Sequence, residues 1–503
     1  MIDPSKWHWW ILILIVFRVP VTYKQTYEKV PVDACIQYRF DMSDYICPVE
    51  NFLANGRWEP DLRLPGYSII YLLFRSFLPM WYALFSMIVL QVLVGCVAAY
   101  LLAKSAYEVS GSKIVFIFIF LLFGLNKYMC FYDGYVISDS LSQNLIAISV
   151  YFFSSFYLKR EKIFLFYSGL LLGWTAFMRP ANVFAFPAGL IAIYILDNKN
   201  LIRFMSNAVT YCLSYVVLIT SFFSIYYLLK GDIYRVRYQE HFSHDFAQKL
   251  LVVHGTLCWP NMEIDIFPPE IGQNCNGTAF MIGVFGNEHV VKNSKLYLLP
   301  TADQKMYKEC FYKESADPIR EYLLRCSQTV SFSVDSLLMI REILKKMVYA
   351  DGKEFDSLEK VVDSKLGLYI RSVKQEKPLY YYFTSRVKSF IWLITNGQWI
   401  SSGHSSIVRF IAYSVLILFH TLPLYLYLIL FVPILIFSFI RKDKEMLSLL
   451  VFTLSGIIIT LSYIVVSLPQ VRYLASAYPY LFWGLALELH YLYSYANFRR
   501  IVS

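Results

Sequence analysis

Acidic and basic side chains crowd into one stretch between two apolar runs, Phe40 to Tyr67, FDMSDYICPVENFLANGRWEPDLRLPGY. Asp41 and Asp44 lie on a predicted helix that leads to Asn55-Gly56, and at three residues apart they share one face of it. Neighbouring carboxylates favour proton uptake by one of them, which suits that group to remove a proton from a substrate hydroxyl. The alternative is a solvated acidic face, and the spacing alone leaves both interpretations open.

Three arginines and a further acid stand where apolar runs end. Arg63, Arg179 and Arg472 each carry a planar guanidinium, which can bind a phosphate through two parallel hydrogen bonds. Asp139 begins another apolar run. For each arginine the alternative is an anchor that reaches the membrane surface, or an ion pair with a nearby acid.

The composition shows what kind of scaffold must position these residues. Of 503 residues, 57% are hydrophobic and 16% are charged, which is more apolar surface than one soluble core could bury. The net charge of +10 comes mostly from short basic clusters beside apolar runs, as expected for topology signals. The chain is therefore predicted to be an all-α polytopic membrane protein that lies in a lipid bilayer and does not bind nucleic acid.

Apolar runs of about 20 residues predict about ten transmembrane helices. A shorter run from Tyr67 to Phe77, after Pro65-Gly66, predicts an interfacial helix instead. The predicted spans are 7–23, 80–103, 113–129, 137–158, 163–179, 181–196, 205–229, 408–438, 446–467 and 473–494.

The basic clusters predict the topology, because short loops rich in Lys and Arg stay on the cytoplasmic side. Two long segments, 24–66 and 230–385, then lie outside, and both termini lie inside. The chain divides into a transmembrane module at 1–229, an extracytoplasmic loop region of mixed structure at 230–385, and a second transmembrane module at 386–503. All the candidate residues fall on the outer side.

The order of the motifs adds a resemblance. Asp41, Tyr45 and Gly56, followed by RLPGY, resemble the first outer loop of membrane glycosyltransferases of the C structural class (GT-C). The likeness is greatest to the superfamily of the lipid A aminoarabinose transferases and protein O-mannosyltransferases. Relatives often have a second acid directly after the Asp, where this chain has Met42, so both Asp41 and Asp44 remain candidates for the catalytic base.

Further segments follow in the family's order, and residues 1–229 carry most of the resemblance. Their sequences are similar to a Gly-rich span that ends in Arg-Pro, to the outer end of the fourth span and to a late Arg-Tyr segment. They are GLLLGWTAFMRPANVFAFP (Gly169–Pro187), YVISDSLSQNLIA (Tyr135–Ala147) and QVRYLASAYPYLF (Gln470–Phe482).

The resemblance implies transfer of a sugar, with inversion, from a polyprenyl-phosphate donor to a glycan, lipid or protein acceptor. Asp41, with Asp44 as the alternative, would be the base, and Arg63, Arg179 and Arg472 would hold the leaving phosphate. Asp139 and Tyr45, with Asp44, would orient the acceptor or a divalent cation, which is the one cofactor left open. A bacterial inner membrane is the expected location, with the active site on the outer face.

Two other classes of protein remain as alternatives. A lipid or solute transporter would place charges near the centres of its spans, and it would have little need of a long outer segment. A polymerase or ligase of polyprenyl-linked glycans would also use outer arginines, but it would not need the acidic first loop. Asp41 therefore discriminates between that class and a glycosyltransferase.

Overall fold

The computed structural model describes residues 3–27, 42–56, 58, 64–197, 200–230, 339, 343, 352–384, 387, 421–466 and 471–502. Over these residues the chain is helical and forms no strand, which confirms the all-α prediction. The helices are α1 (Trp7–Tyr27), α2 (Met42–Asn55), α3 (Ser68–Arg75), α4 (Met80–Ser110), α5 (Lys113–Ile119), α6 (Lys127–Cys130), α7 (Ser138–Lys159), α8 (Lys162–Met178), α9 (Phe186–Asp197), α10 (Leu201–Lys230), α11 (Gly352–Glu376), α12 (Leu422–Ile440), α13 (Lys444–Val466) and α14 (Tyr478–Val502).

Short helical turns of other types connect several of these helices. Five-residue π-helical turns are formed by Phe120–Gly124 and Tyr380–Thr384, and 3₁₀ turns by Phe131–Gly134, Pro180–Ala185 and Val471–Ser476. The first π turn continues α5, and the second 3₁₀ turn leads into α9.

Within the described part of the chain, six helical segments are long and apolar enough to cross a membrane, which supports a multi-pass membrane protein. They are Met80–Ser110, Ser138–Lys159, Pro180–Asp197, Leu201–Leu228, Leu422–Ile440 and Lys444–Ser462. Three shorter apolar helices, Trp7–Tyr23, Lys113–Gly124 and Lys162–Met178, coincide with three of the predicted spans. The predicted number of ten spans is not confirmed, since the last predicted span includes the turn at 471–476 and an α14 that carries Glu488 and His490.

The two short helices predicted within and after the stretch Phe40–Tyr67 are present. Helix α2 begins at Met42, carries Asp44 and Glu50, and ends before Gly56, whose φ of +64° lies in the left-handed region that glycine adopts without strain. Helix α3 is eight residues long, too short to cross a membrane, as predicted for the run that follows Pro65-Gly66.

Helix α7 lies at the centre of the packing. Its 22 residues rise about 33 Å, so its first turn and Lys159 lie at opposite ends. Helices α4 and α8 pack along it, and α8 in turn packs against α10. This last contact requires glycine, because a Cβ at Gly173 would overlap the carbonyl group of Tyr215.

Candidate functional site

The first turn of α7 brings three neighbouring polar side chains to three different parts of the chain. Ser138 Oγ lies 2.7 Å from the hydroxyl of Tyr45 on α2. Asp139 pairs with the guanidinium of Arg179 at the end of α8. Ser140 Oγ donates to the carboxylate of Asp133 in the preceding 3₁₀ turn. Successive helical residues point about 100° apart, so this turn can contact three elements at once.

The Asp139–Arg179 pair is buried and lies where the backbone favours it. Asp139 is 4% exposed and Arg179 is 7% exposed. A carboxylate in the first turn of a helix is stabilised by the unpaired N–H groups there. Arg179 directly follows α8 in extended backbone, with φ −140° and ψ 106°, and Pro180 next to it prevents the helix from continuing. Local sequence therefore sets the position of both partners.

The end of the RLPGY segment docks on the C-terminal end of α8, beside Arg179. Trp174 Nε1 donates to the carbonyl of Gly66 over 3.0 Å. A Cβ at Gly66 would come within 2.7 Å of the carbonyl carbon of Phe177, so this close approach requires glycine. Next to it, the rings of Tyr67 and Tyr45 meet edge to face with centroids 5.0 Å apart.

A second set of bonds ties α2 to α3. Glu50 accepts a hydrogen bond of 2.9 Å from Arg75 Nε and one of 2.6 Å from the hydroxyl of Tyr71. The hydrogen bonds from Arg75 to Glu50 raise the pKa of the guanidinium, which stays charged. Helix α2 is therefore attached at two points, at Tyr45 and at Glu50.

The turn that carries Arg472 reaches the same end of α7. The hydroxyl groups of Ser476 and Ser142 lie 3.2 Å apart. Ser142 Oγ also accepts a hydrogen bond of 2.8 Å from Asn182 Nδ2, three residues after Arg179. Helix α2, the segment before α3, the end of α8 and the 471–476 turn thus converge around the N-terminal end of α7.

The structure brings together three of the predicted site residues: Tyr45, Asp139 and Arg179. Asp41 and Arg63 lie outside the described residues. Asp44 lies on α2 and Arg472 lies in the 471–476 turn, and the description covers only their backbone. Their helical segments reach the same place, and their side-chain roles stay predictions.

Sequence reasoning missed a fully buried ion pair next to this site. Arg18 Nη1 on α1 lies 2.9 Å from Asp133 Oδ2, and both side chains are 0% exposed. Gln91 on α4 donates to the carbonyl groups of Asp133 and Tyr135, and its own Oε1 accepts from the hydroxyl of Tyr67. The available signal was an arginine inside the apolar run WHWWILILIVFR, since ionisable residues in spans usually have partners.

Space for the Arg18 guanidinium comes from α4. A Cβ at Gly95 would overlap Arg18 Nη1, so a larger residue would displace the guanidinium from Asp133. The pair connects α1 through Asp133 to Ser140, and so to the first turn of α7. The polar groups around Asp139 and Arg179 are therefore linked to the buried ion pair of Arg18 and Asp133.

Over the part of the chain that the structure describes, no group of three His, Cys, Asp or Glu side chains could hold a metal ion. Comparison with models of protein families, with curated proteins and with solved structures finds no match.

Proposed function

We propose that this protein is an integral membrane glycosyltransferase that moves a sugar from a polyprenyl-phosphate donor to an acceptor at the outer face. The observation that carries the proposal is the convergence of four sequence-distant segments around the first turn of α7. Helix α2 arrives through Tyr45, the RLPGY segment through Gly66, the end of α8 through Arg179, and the 471–476 turn through Ser476. These are the segments whose order in the sequence resembles that of the glycosyltransferases.

The proposed reaction is a single displacement at the anomeric carbon. An oxygen of the acceptor hydroxyl attacks this carbon on the face opposite the phosphate, and its proton passes to a carboxylate at the start of the first outer loop. The bond from the anomeric carbon to the phosphate oxygen breaks, and its electron pair leaves with the lipid phosphate. Asp41 is the proposed base, and Asp44 is the alternative one helical turn along.

Arg179 is proposed to bind the phosphate of the donor. The guanidinium lies at the end of a helix and not at its middle, where a phosphate could reach it while the lipid tail lies between helices. Because Asp139 pairs with Arg179, we assign to this carboxylate the task of holding the guanidinium in place. The role of Asp139 and Tyr45 in orienting an acceptor or a divalent cation stays a prediction.

The first test compares Asp41→Asn with Asp44→Asn. An amide has nearly the same shape as the carboxylate but cannot accept the proton, so the loss of a general base lowers transfer by about 100- to 10,000-fold. The measurement is release of polyprenyl phosphate from a polyprenyl-phosphate hexose by the purified full-length chain in lipid nanodiscs, with water as the acceptor of the sugar. We expect Asp41→Asn to abolish release and Asp44→Asn to cost less.

The two variants control for each other, because both replace an acid in the same loop. If Asp44→Asn is inactive and Asp41→Asn is active, the assignment of the base is wrong by one helical turn. If both variants release lipid phosphate at the wild-type rate, the first loop is a solvated acidic face and the proposed mechanism is wrong.

The second test is Arg179→Lys. Lysine keeps the positive charge but loses the planar pair of N–H donors, so donor binding and transfer should fall strongly while the protein still inserts into membranes. Arg203→Lys is the matched control, because Arg203 is 45% exposed and forms an ion pair with Asp197. Arg203 lies at the start of α10, at the opposite end of the bundle from Arg179. Wild-type activity of Arg179→Lys would leave Arg179 as part of a structural ion pair only.

A transporter is a second candidate function, favoured by a specific observation. Arg18, Asp133 and Glu488 are ionisable groups that are fully enclosed in the bundle, and a path for a polar solute needs such groups. This candidate predicts that no polyprenyl phosphate is released from the donor and that the Asp41→Asn variant behaves as wild type.

A further inference from the structure

Glu488 differs from every other acid described in the bundle. It lies on α14 and is 0% exposed, and within the described structure neither of its carboxyl oxygens has a hydrogen-bond partner. Ten residues separate it from Tyr478, where α14 begins, so it lies about 15 Å along the helix from that end. The turn at 471–476, which contacts α7 through Ser476, precedes that same end, so Glu488 is remote from the site at α7.

The surroundings of Glu488 offer little polar compensation. One turn before it, Gly484 brings α14 against α12 and α13, because a Cβ there would lie 2.5 Å from a ring carbon of Tyr427 and 3.1 Å from Cβ of Thr453. Tyr427 on α12 is a titratable group that interacts electrostatically with Glu488. The Tyr427 hydroxyl donates a hydrogen bond of 3.0 Å to Oγ1 of Thr453. Leu485 and Leu487, three residues and one residue before Glu488 on α14, are buried as well.

These observations decide the charge of the carboxyl group. An ionised carboxylate enclosed without a partner is strongly disfavoured, and such a group takes up a proton instead. A hard cation such as Ca²⁺ would need about six to eight oxygen ligands, and none of the described acidic, histidine or cysteine side chains clusters with Glu488 to supply them. We propose that Glu488 is a proton-binding site inside the bundle and that its protonated carboxyl group is a site of modification by hydrophobic carbodiimides.

The chemistry of that modification suits a buried acid. The carboxylic proton passes to one nitrogen of the carbodiimide, and the carboxyl oxygen bonds to its central carbon as one carbon–nitrogen π bond breaks. In the resulting O-acylisourea the acyl group migrates to the other nitrogen: its bond to oxygen breaks, a carbon–nitrogen bond forms, and that oxygen becomes a carbonyl oxygen of a stable N-acylurea. No group leaves, so the adduct adds the whole mass of the reagent. The reaction needs the protonated acid and a reagent that enters an apolar environment.

The experiment treats the full-length chain in nanodiscs with dicyclohexylcarbodiimide at neutral pH and maps the adducts by peptide mass spectrometry. We expect an adduct on Glu488, and its loss in Glu488→Gln. Glu445 is the matched control, because it is an exposed glutamate at the start of α13 whose partner is the hydroxyl of Tyr157. Glu445→Gln should leave the adduct on Glu488 unchanged.

Two outcomes would overturn the proposal. One is an unmodified Glu488 in a chain that is folded and inserted. The other is an adduct that Na⁺ or Ca²⁺ suppresses at constant ionic strength, since a cation and not a proton would then occupy the site. Infrared spectroscopy gives an independent measurement, because a protonated carboxyl group has a carbonyl band that Glu488→Gln must remove. Neither measurement depends on sugar transfer, so either result leaves the proposed function untouched.

Discussion

The N-terminal end of α7 and the middle of α14 both bury a carboxyl group completely, but only the group at α7 has partners that compensate for the loss of water. Asp133 is 0% exposed and is bound by Arg18 and Ser140. Glu488 is equally buried and has no hydrogen-bond partner among the residues that the structure describes. Burial alone therefore does not tell what an acid does in this protein, because the neighbouring elements decide whether it carries a charge.

The difference follows from which helices meet at each place. At α7, several sequence-distant segments each contribute a polar group, so charges and hydroxyls meet with compatible geometry. At α14, the neighbouring faces of α12 and α13 present the side chains of Tyr427 and Thr453. The hydroxyl groups of these two residues are hydrogen-bonded to each other. A buried charge that is paired and hydrogen-bonded holds the neighbouring elements rigidly in place. A buried acid without such a partner is instead a group that can gain or lose a proton.

The largest effect is expected from removing one partner of the buried pair at α7. Arg18→Met leaves Asp133 buried without its counter-charge, and such a loss costs about 3–5 kcal/mol of unfolding free energy. The measurement is unfolding of the purified chain in mixed detergent micelles, with wild type and variant at the same lipid-to-detergent ratio.

Two controls separate the buried charge from the lost side chain. Arg18→Met combined with Asp133→Asn removes both charges and should recover much of the loss, because no unpaired charge remains. Arg203→Met removes a partner of Asp197 that is 45% exposed, so it should cost about 1 kcal/mol or less. Equal losses for Arg18→Met and Arg203→Met would contradict the distinction between the two kinds of ion pair.

The different surroundings of Asp133 and Glu488 could not be predicted from the sequence, because they depend on contacts between distant parts of the chain. Local patterns sufficed for α2, for α3 and for the break at Arg179-Pro180, since turn residues and apolar length act within a few residues. The pair of Arg18 with Asp133 joins residues 115 positions apart, and no local pattern encodes such a contact. Glu488 stood in LALELH as one acid among apolar residues, and only the packing of α12 and α13 shows that it lacks a partner.

The predicted topology placed Asp139 and Arg179 at one level, because Asp139 lies near the start of one apolar run and Arg179 at the end of the next, on the same predicted side. Their direct contact could not be predicted, since a span prediction gives depth but not the rotation of a helix about its axis. The count of ten spans is not confirmed, because apolar length alone does not decide whether a helix crosses the membrane. Three predicted spans correspond to helices of 17 residues or fewer by the apolar measure.

A smaller effect of opposite sign is expected at α14. Glu488→Leu replaces an unpartnered carboxyl group by an apolar side chain of similar size, so it should raise the unfolding free energy by about 1–3 kcal/mol. The same unfolding measurement detects it, with Glu445→Leu as the control on an exposed acid. A clear loss of stability in Glu488→Leu would mean that Glu488 has a partner in the folded chain, and the contrast with Asp133 would fail.

The smallest effect concerns the attachment of α2 to α7. Tyr45→Phe removes the hydroxyl that lies 2.7 Å from Ser138 Oγ and leaves the ring in contact with Tyr67. Losing one buried hydrogen bond costs about 0.5–1.5 kcal/mol, which is less than losing a buried charge because no ionised group is left unpaired. Tyr82→Phe is the matched control, since Tyr82 is 61% exposed and its ring should tolerate the same change with almost no cost.

The unfolding measurement compares Tyr45→Phe with Tyr82→Phe, and proteolysis of the folded chain adds a second readout. Weaker attachment should speed cleavage around α2 in Tyr45→Phe only. Equal stability and equal cleavage in both variants would show that the Tyr45–Ser138 contact does not hold α2, and that the attachment rests on Glu50 and its bonds to Tyr71 and Arg75.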